Sequence, residues 1–462
     1  MVNRNSASPS LSIPDLHETF NERAIFPGDP RYDAARTTFY GGIDHRPAVI
    51  IRVQNAGEVA RVISLARETG TELSVRSGGH SVVGHSVSDG GIMLDLSGMR
   101  DLQIDVEGRT AWAEAGLTAG EYTTAAGAFG LATGFGDTGS VGIGGLTLGG
   151  GVGYLARKYG LTIDDLLAAE IVTANGQLSR VDANTQPDLF WAIRGGGGNF
   201  GVVTRFKFRL HEVDSVVGGM LFLPATSDTI ASFIALAEAA PEELSTIANV
   251  ITAPPMPFLP EEYHGKPIIM AFLVYAGDVE GGQRVISPFR ALATPIADMV
   301  KPMKYPEIYQ PEQAEYHPVA ASRTMFVDSI DRSVAETILD YLKSSTASMA
   351  VAQLRVLGGA MARVPVDATA FAHRGSKIMV NVAALYEVPD QKATHEAWVT
   401  DFAAALQQGD TGAYVNFLGD EGPDRIRAAY PNGVWERLAA IKARYDPTNL
   451  FRLNQNIHPT SA

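Results

Sequence analysis

The chain has no cysteine. Disulfides, thiolate metal sites and a cysteine nucleophile are excluded, and the absence fits a reducing compartment. No apolar run reaches about 18 residues, so no membrane-spanning helix is expected. Residues 1–17 lack a basic region followed by an apolar run. No secretory signal is read there, and a cytoplasmic location is expected. No basic cluster offsets the acidic balance: 37 Lys and Arg against 51 Asp and Glu leave a formal charge of −14. That argues against nucleic acid and anionic membrane surfaces as partners. Catalytic signatures are missing too. No H-E-x-x-H or carboxylate cluster accompanies His80 and His85, and His373 and His458 read as surface or packing residues, so no metal is expected. No glycine run ends in G-K-[ST], which argues against a P-loop ATPase. No G-x-S-x-G elbow supports a serine hydrolase.

What is present is a long chain, rich in glycine. Its 462 residues exceed one compact core, so two domains are expected, in an α+β arrangement. Residues 49–53 read as a strand. Asn55 reads as a helix N-cap with Glu58 in the capping-box position, and Gly70 as the helix end. Thr118 and Glu121 repeat the capping pattern. Residues 171–173 and 178–181 flank Asn175-Gly176, a two-residue hairpin signal. Residues 202–210 read as another strand. Beyond about residue 215 the glycine clusters fade. Strands are expected at 220–223, 268–275, 325–330, 350–356 and 378–386, with helices at 230–239 and 335–343. A last helix is expected at 435–445.

Three glycine blocks stand out. Arg76-Ser77-Gly78-Gly79-His80-Ser81 follows a short strand at 73–75. Its paired glycines allow a tight turn and close approach to a ligand, and such a loop aims backbone N–H groups at an anion. Arg76 can add a charge-assisted contact. The second block, 134–153, holds Gly142, Gly145, Gly149, Gly150 and Gly153 among others. Gly151 to Ala156 fits G-x-G-x-x-A, but no clear strand precedes it, which argues against a Rossmann site. The third block is 194–201. Three close-approach loops in one domain point to one large cofactor; were the anion a flavin pyrophosphate, His80 would be positioned to carry the flavin.

The stretches 76–81, 138–159, 189–204, Tyr414-Val415-Asn416 and 446–457 resemble the vanillyl-alcohol-oxidase/PCMH-type flavoproteins. Within that group the chain is similar to the bacterial berberine-bridge-enzyme-like oxidases, from about Arg46 to His458. The resemblance implies a two-domain PCMH-type FAD-binding fold. Residues 1–211 and the returning segment 414–462 would bind FAD. Residues 212–413 would form a substrate domain, an antiparallel sheet covered by helices. His80 matches the histidine joined to the 8α-methyl of FAD. The cysteine that makes a second link in some relatives corresponds to Thr138, so a single link is implied.

The same resemblance places Arg76, Ser77, Gly78, Gly79, Ser81, His85, Asp137, Thr138, Val141, Gly142, Gly145, Gly149, Gly150, Gly153, Val202, Asn416, Asn454 and Asn456 around the cofactor. Val141 matches the position that gates oxygen, and its small side chain is similar to that of the oxidases. The implied reaction is hydride removal from a CH–OH or CH–NH carbon, with oxygen as acceptor and hydrogen peroxide as product. An FAD dehydrogenase with another acceptor and a silent flavin-binding protein stay open as alternatives. Tyr414 and Asn416 match the Y-x-N motif near the flavin. A tyrosine titrating near 10 would need a strongly lowered pKa to act as base, and a packed strand residue is the other reading. Gln353, Arg355 and Asn381 are expected to face substrate. Gln353 and Arg355 stand where nicotine-oxidising relatives carry lysine and glutamate. Val82 replaces the tyrosine that follows the linking histidine in berberine bridge enzyme. The first departure argues against nicotine-like substrates and the second against alkaloid ring closure. A monomer or homodimer is expected.

Overall fold

The computed structural model describes residues 13–310 and 316–460. Most of the stretch read for a targeting signal, residues 1–12, lies outside them. Among the described residues no helix is long and apolar enough to cross a membrane.

Local rules account for the first elements. The strand Val49–Arg52 leads into the helix Ala56–Thr69. Asn55 caps that helix by accepting from the Glu58 N–H at 3.0 Å, and Gly70 ends it in the left-handed region at φ 66°. The reciprocal half of the expected box does not form. Glu58 instead accepts from the Gln54 N–H at 2.8 Å and binds Arg23 Nη2 at 2.8 Å. A charge-assisted bond from 35 residues upstream outcompetes the neutral N–H of Asn55. At Thr118 and Glu121 both halves form, at 3.3 and 3.0 Å, before the helix Ala119–Gly127.

The strands Leu166–Val172 and Leu178–Asp182 pair antiparallel as the Asn175-Gly176 signal implies. Their connection is longer than two residues. Thr173 and Gln177 still share a backbone bond at 3.1 Å, and Asn175 accepts from Thr173 Oγ1 and the Gln177 N–H. The Asn175 side chain thus bridges the turn.

Three sheets of four or more strands organise the molecule. A four-stranded sheet holds Val49–Arg52, Ile92–Asp95 and Leu73–Arg76 in parallel, with Ala24–Ile25 at its edge. An antiparallel five-stranded sheet runs Leu102–Asp105, Thr110–Glu114, Val202–Arg209, Leu166–Val172, Leu178–Asp182. The third, eight-stranded sheet spans residues 215–386 and is antiparallel throughout. Its centre is Leu244–Thr252, Met349–Val356 and Ile378–Tyr386, with Val319–Val327 at one edge.

The strand Leu244–Thr252 gives no sequence signal, because both its faces are buried and its residues do not alternate. One face of the large sheet packs Ala248, Leu354, Val380 and Val382 against the helices Ser227–Ala239, Arg332–Ser344 and Lys392–Leu406. The opposite face turns toward the glycine-rich blocks. There Ile247 joins Tyr154 and Leu155 in one apolar cluster, and Phe326 and Met379 join Val152 and Tyr414 in another. The C-terminal segment, including Tyr430, Leu438, Phe451 and Ile457, packs into the core of the first two sheets.

Candidate active site

The first two glycine blocks meet directly. A Cβ on Gly78 would fall on the backbone nitrogen of Gly142, and 2.7 Å from its Cα. Ser77 Oγ ties the loops together, donating to the Ala115 carbonyl at 2.6 Å and accepting from the Gly144 N–H at 3.3 Å. His80 emerges at this junction. Its Nε2 lies 2.8 Å from Ser140 Oγ, and Phe39 stacks on the ring with centroids 4.3 Å apart. Phe39 is held there by its N–H bond to the Gly79 carbonyl at 3.1 Å. Sequence reading missed Phe39, because nothing local marks a residue 41 positions upstream as a neighbour of His80.

Other residues of the first loop behave less simply. Arg76 Nη1 donates to the Ala35 carbonyl at 2.5 Å, and its guanidinium lies beneath Gly79. One arm of the expected anion donor is thus spent on backbone, and burial pulls its pKa below the usual arginine value. Gly79 supplies the left-handed turn at φ 74°. Ser81 Oγ accepts from the His85 N–H at 3.1 Å, bracing the loop. Burial lowers the His85 pKa to about 4, so the imidazole is neutral near pH 7.

The second block is not all loop. It contains the helix Ile143–Gly149, with Gly142 at the N-cap. A Cβ on Gly145 would meet nothing within 4 Å, whereas one on Gly149 would collide with the Asn416 amide. Gly150 adopts φ 136°, and Gly153 is wedged against the Phe135 carbonyl. Val141 is partly buried and its carbonyl accepts from the Ala119 N–H at 2.9 Å. Val202 is buried in its strand beside Val172.

Tyr414 and Asn416 lock onto this block. The Tyr414 oxygen accepts from the Gly151 N–H at 2.9 Å, the Val152 N–H at 3.3 Å and Asn416 Nδ2 at 2.9 Å. Asn416 Nδ2 also donates to the Leu146 carbonyl at 3.0 Å. Burial raises the Tyr414 pKa, and the hydrogen bonds only partly oppose it. The shift runs opposite to the one a base requires. The Tyr414 hydroxyl oxygen thus ties the C-terminal segment to residues 151–152 by accepting both their N–H groups.

The third block is pinned to the C-terminal segment by a fully buried ion pair. Lys442 Nζ donates to Asp446 at 2.7 Å, the Asn199 carbonyl at 2.8 Å and the Phe451 carbonyl at 2.9 Å. Asp446 in turn accepts from the N–H groups of Leu450 and Phe451. Asn199 Oδ1 accepts from the Ile457 N–H at 2.9 Å. The same segment carries Asn454 and Asn456, whose Oδ1 atoms, like that of Asn449, are buried and have no partner among the described residues.

The large sheet closes the site from the other side. Asn249, Gln353 and Asn381 stand in register on three neighbouring strands. They share the face opposite the helices, as alternation requires. A directed chain of bonds runs through Asn249 and Gln353 to Arg355. Asn249 donates to the Met270 carbonyl at 3.2 Å, Gln353 Nε2 to Asn249 Oδ1 at 2.9 Å, and Arg355 Nε and Nη2 to Gln353 Oε1 at 3.0 and 2.8 Å. Arg355 Nη2 also pairs with Asp137 Oδ2. Asp137 accepts from Thr138 Oγ1 at 3.3 Å as well. The pair joins the sheet to the second glycine block across 218 residues. Arg355 lies over the Phe417 ring, 5.1 Å from its centroid. Asp137, expected at the cofactor, is thus paired with a residue of the large sheet.

These residues fit a dinucleotide cofactor carrying a flavin. Open space over Gly145 leaves room for such a group, and the buried Oδ1 acceptors of Asn454 and Asn456 suit a partner that brings N–H donors. Comparison with known proteins names that partner. The family model for an FAD binding domain matches residues 47–182, and the berberine and berberine-like model matches residues 413–458. (R)-6-hydroxynicotine oxidase of Paenarthrobacter nicotinovorans is 33% identical, over 94% of this chain and 96% of that one.

The chain belongs to the berberine-bridge-enzyme-like FAD-linked oxidoreductases.

The crystal structure of 6-hydroxy-D-nicotine oxidase from Arthrobacter nicotinovorans superposes with a TM-score of 0.84 at 29% identity, covering 95% of this chain and 98% of that one. Xylooligosaccharide oxidase of Thermothelomyces thermophilus is 27% identical, over 91% of this chain and 89% of that one. This berberine-bridge-enzyme-like chain is thus an FAD-dependent oxidoreductase with a two-domain α+β fold. Among its described residues no group of three or more His, Asp or Glu could hold a metal ion.

Proposed function

We propose that the chain carries FAD through one covalent bond to His80 and works as an oxidase. The observation that carries this reading is the junction of the first two glycine blocks. Gly78 and Gly142 approach backbone to backbone, and His80 emerges there, oriented by Phe39 and next to Ser140 Oγ. A fixed ring is what a single covalent attachment requires. With no cysteine in the chain, Thr138 cannot supply a second link.

Bound FAD would supply the two-electron acceptor for a CH–OH or CH–NH carbon. The chain's own residues do the rest. Gly142, Gly145 and the buried Asn454 and Asn456 acceptors hold the cofactor. Tyr414 and Asn416 fix residues 146–152 beneath it. Asn249, Gln353, Arg355 and Asn381 present polar groups to substrate from the opposite sheet. Apolar side chains such as Val152, Phe326 and Met379 limit water around them. The small Val141 side chain supports oxygen as the acceptor.

The test of the link is acid precipitation of the purified protein. Yellow, fluorescent flavin retained in the pellet supports it, and a colourless pellet overturns it; His80→Ala should release the flavin. The test of the acceptor is the rate of reoxidation of the reduced protein in air-saturated buffer. Reoxidation far slower in air than with a quinone dye would make the chain a dehydrogenase.

A further inference from the structure

We infer that Phe39 is a positioning residue for the attachment of FAD to His80, and that the strap carrying it, residues 37–42, makes attachment depend on the edge of the large sheet. The inference rests on the reading of His80 as the covalent site.

Phe39 does not serve as core. Its side chain is partly exposed, and it belongs to none of the apolar clusters among the described residues. Its ring meets His80 face to face, with centroids 4.3 Å apart and planes 18° from parallel, and Tyr40 edge-on at 5.1 Å. A histidine ring turns about a broad, roughly two-fold torsion at χ2. Ser140 Oγ, 2.8 Å from Nε2, breaks the two-fold choice, and Phe39 sets the plane. The lone pair of an imidazole nitrogen lies in that plane. A neighbour stacked on the face therefore aims the nitrogen without covering it.

The same residue is held from two sides. Its N–H donates to the Gly79 carbonyl at 3.1 Å, within the first glycine block. Upstream, the Ala35 carbonyl accepts from Arg76 Nη1 at 2.5 Å. The Phe39 carbonyl lies 3.2 Å from His317 Nδ1, and the Gly41 N–H donates to the Pro318 carbonyl at 3.0 Å. His317 and Pro318 lead directly into the edge strand Val319–Val327. Contact there is tight: a Cβ on Gly41 would lie 2.5 Å from the His317 carbonyl oxygen. The two polar groups of one residue thus bind different parts of the molecule. With the sheet edge in place, the strap is drawn across and its ring rests on His80.

Attachment replaces the imidazole N–H and one C–H of the 8α-methyl with a single N–C bond. The two protons and two electrons released go to dioxygen, which leaves as hydrogen peroxide. The nitrogen must meet one carbon along its lone pair, and misplacement by about 1 Å costs roughly 100-fold in such a step.

The test uses the full chain, made flavin-free in riboflavin-starved cells and mixed with FAD in air-saturated buffer. Aliquots are acid-precipitated over time, and flavin fluorescence in the pellet gives the attachment rate. Rapid ultrafiltration at the first time points gives the affinity for FAD, and circular dichroism melts check folding. Phe39→Ala should attach flavin about 10- to 100-fold more slowly than the parent chain, with its FAD affinity kept. Phe39→Tyr keeps a ring and should attach at the parent rate. Phe39→Leu fills space without a ring and should be as slow as Phe39→Ala; it carries the test if the alanine variant melts early. Gly41→Val parts the strap from residues 317–318 and should also slow attachment, although residues 39 and 80 are untouched. A parent-like rate in Phe39→Leu overturns the positioning role. The same rate in Gly41→Val overturns the dependence on the sheet. Slow attachment matched by an equal loss of FAD affinity makes Phe39 a binding residue and overturns the inference as well. A parent chain that binds FAD but never carries it into the pellet defeats the covalent reading instead.

Discussion

Two glycine-to-alanine substitutions separate packing from cofactor space. A Cβ on Gly78 would overlap the backbone of Gly142, with Gly142 Cα at 2.7 Å and the Ser140 carbonyl at 3.1 Å. Ordinary contacts begin near 3.4 Å, and the obstacle is backbone, so the two loops must part. Overpacking of this kind costs about 1–3 kcal/mol. Gly145 is the opposite case. It is exposed in the interior of the helix Ile143–Gly149, and its Cβ would meet nothing within 4 Å. Alanine there should stabilise the flavin-free chain by about 0.5–1 kcal/mol through helix propensity.

If the open space over Gly145 is where the cofactor lies, the methyl group enters that space. Gly145→Ala should then keep or raise the melting temperature of the flavin-free protein and lower its flavin content. Gly78→Ala should lower both. Melting temperature by circular dichroism and the ratio of flavin to protein absorbance are the two readouts. Full flavin content in Gly145→Ala would refute the placement of the cofactor over this helix. An unshifted melting temperature in Gly78→Ala would refute the packing argument.

Three further outcomes are expected. Lys442→Met should cost about 3–5 kcal/mol, because it leaves the Asp446 carboxylate buried without its cation; chemical denaturation measures this, and the double variant Lys442→Met, Asp446→Leu should recover part of the loss. The His85 pKa, depressed from 6.5 to about 4, makes the folded state bind fewer protons than the unfolded state between those values. Stability should therefore be fully present above about pH 6.5 and fall by up to about 3 kcal/mol toward pH 4, a slope that His85→Gln should reduce in melts run across that window. Tyr414→Phe should destabilise by about 1–3 kcal/mol through the N–H groups left at Gly151 and Val152, with no change in the shape of the pH–rate profile. Loss of an alkaline or acid limb in that variant would restore Tyr414 as a titrating group.

The elements that sequence reading found are those whose cause lies within a few residues. Asn55 and Thr118 fix helix starts by accepting from neighbouring N–H groups, and Gly70 ends its helix in the left-handed region. The strand Ile378–Tyr386 lies where its apolar, β-branched run predicts. The elements it missed lack a local cause. Leu244–Thr252 is a strand because strands lie on both sides of it, and the short helix Ile143–Gly149 forms in a stretch whose glycines argue for loop. Glu58, placed to reach back to the Asn55 N–H, instead accepts from the Gln54 N–H and from the distant, charged Arg23.

The candidate site divides the same way. The glycine blocks and His80 were legible because close backbone approach and a reactive imidazole each demand a residue type. The Y-x-N and tail asparagines were legible only through family resemblance. The sequence by itself determined which loops could admit a cofactor and, by lacking cysteine, that a family-type link has one available residue. Only the tertiary structure decided that Phe39 stacks on His80, that the Tyr414 oxygen accepts from the N–H groups of Gly151 and Val152, and that Asp137 joins Arg355. The physical reason is that a strand's alternation says which residues share a face, whereas the choice of face that meets the cofactor domain depends on helices and loops far along the chain.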